Sequence, residues 1–287
     1  MKFVKIENNY TPEVALEGIF SAAGQSMRNM ISYVAEYFPS LRQAFTTPSE
    51  SIKNLVGFSK DGAFTSLRNN LTGFTDKENI SASDFQDFTN VNITIPESFT
   101  GNLYEYSEFL DRSWKFLHAN VFPQLDLFYA SLASFASNKE AKILLKDTSK
   151  VYDTLESEYD SLSKEATTYF GKVLHNSSTG KLGSAFSDMD QYRNCSKTAL
   201  RLVEELSNDD IKQINVKLEK IVSVLDTIIE EAKAGNYDRA SFESVKSLAK
   251  GTYSLARVIE FYPVTYYRVK DLAFSMNENR KVVSDLM

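Results

Sequence analysis

Acid–base or nucleophilic chemistry at neutral pH needs groups that titrate or attack there, and this chain of 287 residues has two histidines, His118 and His175, and one cysteine, Cys195. A serine triad would start from a Gly-x-Ser-x-Gly elbow, which does not occur. One Cys and two His cannot supply the four ligands of a structural zinc, and the Glu-x-x-His pairs of bundle di-metal centres are absent. Gly171-Lys172 and Gly180-Lys181 lack the rest of a phosphate-cradling Walker loop. Tyr266 and Lys270 have the Tyr-x-x-x-Lys spacing of short-chain dehydrogenases, without the parallel-sheet pattern that spacing serves.

Arg193 and Lys197 flank Cys195 and could favour its thiolate, although a packed cysteine is the plainer reading. Acid clusters at Glu204-Glu205 with Asp209-Asp210, and at Glu230-Glu231, read as solvated faces and helix starts. An enzyme assembled from scattered carboxylates would draw on Glu105, Glu108 and Asp111. No convergent set emerges. The expectation is a non-enzyme with no catalytic residue, cofactor, metal or small-molecule substrate.

Charge narrows the partners. Lys and Arg number 32 against 38 Asp and Glu, a formal net charge of −6 that argues against a broad nucleic-acid footprint. The best basic and aromatic patch joins Arg28, Arg42, Lys53, Lys60 and Arg68 with Phe45, Phe58, Phe64 and Phe74. Glu36, Glu50 and Asp61 dilute it, and packing is preferred. The opening MKFVKIENNYTPEV has no apolar run of secretory length, and no window reaches the ~18 apolar residues of a membrane span. The composition predicts a cytoplasmic protein without a disulfide.

The elements that must carry these residues are mainly helical. Thr11-Pro12-Glu13 predicts a helix start, and the weakly charged run to Phe38 ends at Pro39. That run reads as a core helix, as one that binds a partner or oligomerises, or as a membrane-active segment, although its Lys/Arg face is poorer than membrane-surface helices usually carry. Val91–Ile95 alternates with period two and predicts a short strand. Leu103, Tyr106, Leu110, Trp114, Leu117 and Val121 form a buried stripe that Pro123 should break or kink, and Leu125, Phe128, Leu132 and Phe135 resume it. From Lys139 to about Val173 another helix is expected, with Val151, Leu155, Leu162, Ala166 and Tyr169 inward.

His175–Gly183 reads as a loop by composition. A helix carrying Leu200, Val203 and Leu206 follows. Ile211, Ile214, Leu218, Ile221, Leu225 and Ile228 step by three and four, like a coiled-coil seam. A helix stopping before Pro263 and an amphipathic segment from Val264 toward Val283 complete the chain. The fold class expected is all-α, a multi-helix bundle of long antiparallel helices over 101–287. Residues 1–100 form an N-terminal helix and an irregular Phe- and Gly-containing segment packed on that body.

In texture the chain resembles helical virion-internal and structural proteins of large tailed bacteriophages: acidic, rich in Asn, Ser, Phe and Tyr, with one Cys and one Trp. Proteins of that kind often carry an N-terminal propeptide that a prohead protease removes after a small-x-Glu motif. Ala15-Leu16-Glu17 followed by Gly18 matches the motif. The resemblance implies Glu17 as the processing position and Gly18 as a mature N-terminus, although the same residues sit within an expected helix. The function expected is therefore structural or protein-interacting, through helical surfaces, in self-association or with virion proteins. The alternative is a soluble phage-type factor that binds and inhibits or redirects a host protein.

Overall fold

A computed structural model describes residue 36, 38–50, 69, 89–96, 99–138, 148–169, 177–207, 210–234, 236 and 253–284. Over these residues the chain is an all-α bundle with one small sheet: α1 (38–50), β1 (Asn92–Pro96), α2 (Leu103–Phe116), α3 (Phe122–Asn138), α4 (Thr148–Tyr169), β2 (Ser177–Lys181), α5 (Leu182–Ala185), α6 (Met189–Ser207), α7 (Asp210–Lys233), α8 (253–259) and α9 (Phe261–Ser284). No helix among the described residues is long and apolar enough to cross a membrane.

Asn102 caps α2, its side-chain oxygen accepting from the amides of Tyr104 and Glu105 and leaving Leu103, Tyr106, Leu110 and Trp114 on the buried face. Pro123 does not break the helix that follows. Leu117–Val121 forms one π-helical turn instead, closed by the Phe122 amide donating to the Leu117 carbonyl. Pro123 has no amide to return to the preceding turn, and the wider turn absorbs that loss while Leu125, Phe128, Leu132 and Phe135 stay inside. Pro263 likewise falls in the first turn of α9, where the missing amide costs little, so α9 starts at Phe261 rather than after the proline.

The 211–228 stripe is buried from Ile214 through Leu218, Ile221 and Leu225 to Ile228, on a helix packed against α3. Its seam is filled within the chain. Helix α1 joins this pair: Phe45 stacks on Phe128 at 5.9 Å, and Ser49 donates to Asn215 at 3.3 Å. On α4 the inward face runs through Tyr152 rather than Val151, because the Tyr152 ring meets Phe128 edge-on at 6.4 Å while Val151 is exposed.

Helix α9 is the second centre, in contact with α2, α6 and β1. It is not amphipathic. Tyr262, Tyr266, Val269, Leu272, Ala273 and Met276 are buried, and so are Thr265, Arg268, Ser275, Asn277 and Asn279 on its other sides.

The expected strand forms as β1, and its antiparallel partner is 177–181, within the stretch whose composition reads as loop. Register pairs Ile93 with Gly180 and Thr94 with Thr179. Gly180 fits because a Cβ there would lie 2.8 Å from Ile95 Cδ1, inside contact distance. The other edge of β1 is closed by a side chain. The Thr94 amide donates to Asn279 Oδ1 at 2.7 Å, and Asn279 Nδ2 donates to the Thr94 carbonyl at 2.9 Å. A buried carboxamide thus takes the place of a third strand.

Candidate functional site

Of the carboxylates an enzyme would draw on, Glu105 is exposed, Glu108 is bonded within its own helix and Asp111 is engaged between helices. Asp111 on α2 accepts from Lys115 Nζ one turn on at 2.9 Å and from Arg201 on α6, whose second nitrogen reaches Glu205 at 2.8 Å. Burial would push the Asp111 carboxyl up, but the hydrogen bonds from Lys115 and Arg201 outweigh it and hold the group below its ordinary value. Arg112 takes Glu165 of α4 with both terminal nitrogens, at 3.1 and 2.5 Å. Arg257 of α8 bonds Glu156 and, at 2.7 Å, Asp160 on α4, with its guanidinium 5.4 Å from the Tyr159 ring. Lys217 of α7 meets Asp126 of α3 at 2.8 Å, and Arg42 of α1 pairs with Asp226 of α7. Glu108 accepts from the Tyr104 hydroxyl at 2.7 Å. A paired carboxylate held ionised cannot serve as a general acid near neutrality.

His118 is enclosed by rings. Its imidazole centroid lies 4.3 Å from that of Trp114 and 5.0 Å from that of Phe122. Tyr262 closes the circuit, 5.4 Å from Phe122 and 5.8 Å from Trp114. Contacts this tight are packing geometry, and they join the π turn to the start of α9.

Cys195 is buried between the Leu103 carbonyl, 3.6 Å from its sulfur, and Met276 Sδ, 3.7 Å away. Desolvation pushes its thiol up to about 12, the opposite of activation, while Arg193 reaches toward Asp190 at 3.5 Å and Lys197 is exposed. Tyr266 is buried with its phenol pushed up by desolvation, so the Tyr-x-x-x-Lys spacing holds no activated tyrosine. Gly180-Lys181 lies in β2, and the Lys181 ammonium donates to the Asn90 carbonyl at 2.7 Å. Of the basic and aromatic patch, Arg42 is ion-paired and Phe45 is buried; Arg28, Lys53, Lys60, Arg68, Phe58, Phe64 and Phe74 lie outside the described residues. So do Glu17, Gly18, His175, Gly171 and Lys172.

Among the described residues, no group of three or more His, Cys, Asp or Glu is placed to hold a metal ion. Pairings within one helix, such as Asp111–Lys115 and Arg201–Glu205, carry a sequence signal in their spacing of four. Arg201–Asp111, Arg257–Glu156 and Asn279–Thr94 join distant segments and carry none. The fold and these contacts define an all-α bundle whose ionic side chains clasp neighbouring helices. No protein family, curated protein or solved structure matches the chain.

Proposed function

We propose that this chain is a non-enzymatic structural or protein-interaction protein that acts through its helical surfaces. The observation that supports the reading is the use of its acids. Asp111, Asp126, Glu156, Asp160, Glu165 and Asp226 each hold a basic side chain, in every case but the local Lys115 contact across a helix–helix boundary. Such pairs add little stability singly but fix which helices meet and at what offset, a use suited to a rigid scaffold.

The bacteriophage resemblance refines the proposal. The chain is a virion-internal component, made in the host cytoplasm and cut after Glu17. The test is an intact mass and a light-scattering mass of the protein recovered from its native source. A chain beginning at Gly18, inside a multimer or a particle, is the expected result. A full-length monomer removes both the processing and the assembly, and leaves the factor that binds a host protein as the reading to test by pull-down.

A further inference from the structure

The small sheet has two unlike edges, and their difference points to a docking surface. Because Asn279 takes both main-chain groups of Thr94, these groups point away from β2, and Thr94 and Thr179 form a non-hydrogen-bonded pair. The Leu182 amide donating to the Val91 carbonyl at 2.9 Å fixes the same phase. In an antiparallel ribbon the amide and carbonyl of Thr179 must then point outward too, on the far side of β2. By the same alternation so do those of Ser177 and Lys181. At Thr179 nothing among the described residues takes the place that Asn279 takes at the other edge, and Thr179 is exposed; further along, the Lys181 carbonyl accepts from the Ser184 hydroxyl at 2.8 Å and has its second lone pair left for a strand.

We infer that β2 pairs antiparallel with β2 of a second copy of this chain, across a two-fold axis at Thr179. The register is self-complementary. Thr179 faces Thr179, a favourable cross-strand pair, and each Lys181 faces Ser177 rather than another lysine. A lysine on an edge strand commonly repels a second strand, but the Lys181 ammonium is turned back onto Asn90. Side chains of Thr94 and Thr179 share one face, so the joined sheet, ordered β1-β2-β2-β1, carries a row of threonines across it. Pairing turns a two-stranded ribbon, marginal by itself, into a four-stranded sheet. The inference rests on the proposed role in protein association and names self-association at a strand edge, apart from any helical surface.

Two substitutions in the full chain test it. Thr179→Pro removes an amide that takes no part in the β1–β2 ladder, at an edge position where proline is tolerated. Thr179→Cys places two thiols across the axis at about 5.5 Å between Cα atoms, within disulfide reach. Cys195 is too buried to compete. The wild-type chain is expected to sediment as a concentration-dependent dimer, and T179C to give a disulfide-linked dimer under mild oxidation far faster than K197C, whose site is also exposed. T179P is expected to sediment as a monomer with the wild-type circular dichroism. If T179P fails to fold, T179E, which sets two carboxylates face to face, gives the same loss. A wild-type monomer at all concentrations, cross-linking no faster than K197C, or a T179P dimer would overturn the inference. An oligomer unchanged in T179P sinks only the strand edge, whereas a chain monomeric in its native source sinks the association reading itself.

Discussion

The bundle buries helices in two ways. Between α3 and α7 the contact is a stripe of Leu, Ile and Phe with charges left at its margins, where Lys217 meets Asp126 and Lys220 lies 5.9 Å from the Tyr129 ring. Around α9 the burial extends over all but one stripe, where Phe274 is exposed, and the helix brings Thr265, Arg268, Ser275, Asn277 and Asn279 inside with it. Apolar surface specifies that two elements meet, but it is non-directional. A buried polar group is costly unless its partner is correctly placed, so it specifies how they meet. The first region supplies stability, and the second supplies a fixed arrangement, seen most plainly in the Asn279 clasp on Thr94.

The comparison can be broken first where the effect is largest. Leu225→Ala, a full truncation in the α3–α7 seam, should lower unfolding free energy by about 2–5 kcal/mol in a urea titration. A cost under about 1 kcal/mol would mean that the seam is not tightly packed. Next, Asn279→Leu keeps the volume but strands the amide and carbonyl of Thr94, at about 1–3 kcal/mol for each group left unsatisfied. Its distinguishing sign is local, a selective rise in amide exchange at Thr94, where Leu225→Ala raises exchange globally.

Asp111→Asn should cost less, about 0.5–1 kcal/mol, since both Asp111 and Arg201 keep some solvent. Its pH dependence has a definite sign. The folded carboxyl lies below its ordinary value of 3.8, so wild-type stability from this group is fully present above that value and falls as pH drops through the lower folded one. The Asn variant should lose that part of the acid dependence, as acid titrations of both proteins would show. The smallest perturbation is a probe. Cys195 should react with a thiol reagent only as fast as the bundle opens, and a burst of labelling in the native state would contradict its burial.

Legibility divides along the same line. The α3–α7 seam was readable because one face of a helix repeats every three to four residues, and Leu218, Ile221, Leu225 and Ile228 do so without interruption. α9 hides its role because its outer stripe, Val264, Tyr267, Lys270, Asp271, Phe274 and Glu278, mixes apolar, aromatic and charged residues while polar side chains lie on its buried sides, so polarity does not mark the solvent. Its Arg and Asn residues read as surface until their partners are known. β2 is not legible because Ser-Ser-Thr-Gly-Lys is a turn composition, overruled by antiparallel pairing with a strand distant in sequence, Asn92 against Lys181 and Pro96 against Ser177. Pro123 and Pro263 mislead for different reasons: the π turn before Pro123 absorbs its missing amide, and the Pro263 ring falls in a first turn where that amide is not needed. At the candidate site, the inertness of Cys195 and of the Tyr266–Lys270 spacing follows from burial that no local pattern reports.

The central claim, a scaffold that works by surface association with its acids serving internal contacts, is tested most directly by hydrogen exchange of the chain in its native assembly and after release from it. The account predicts added protection at outward-facing backbone, with β2 among the protected segments if the strand edge pairs, and unchanged exchange in α3, α7 and α9. Identical exchange maps in both states would contradict it.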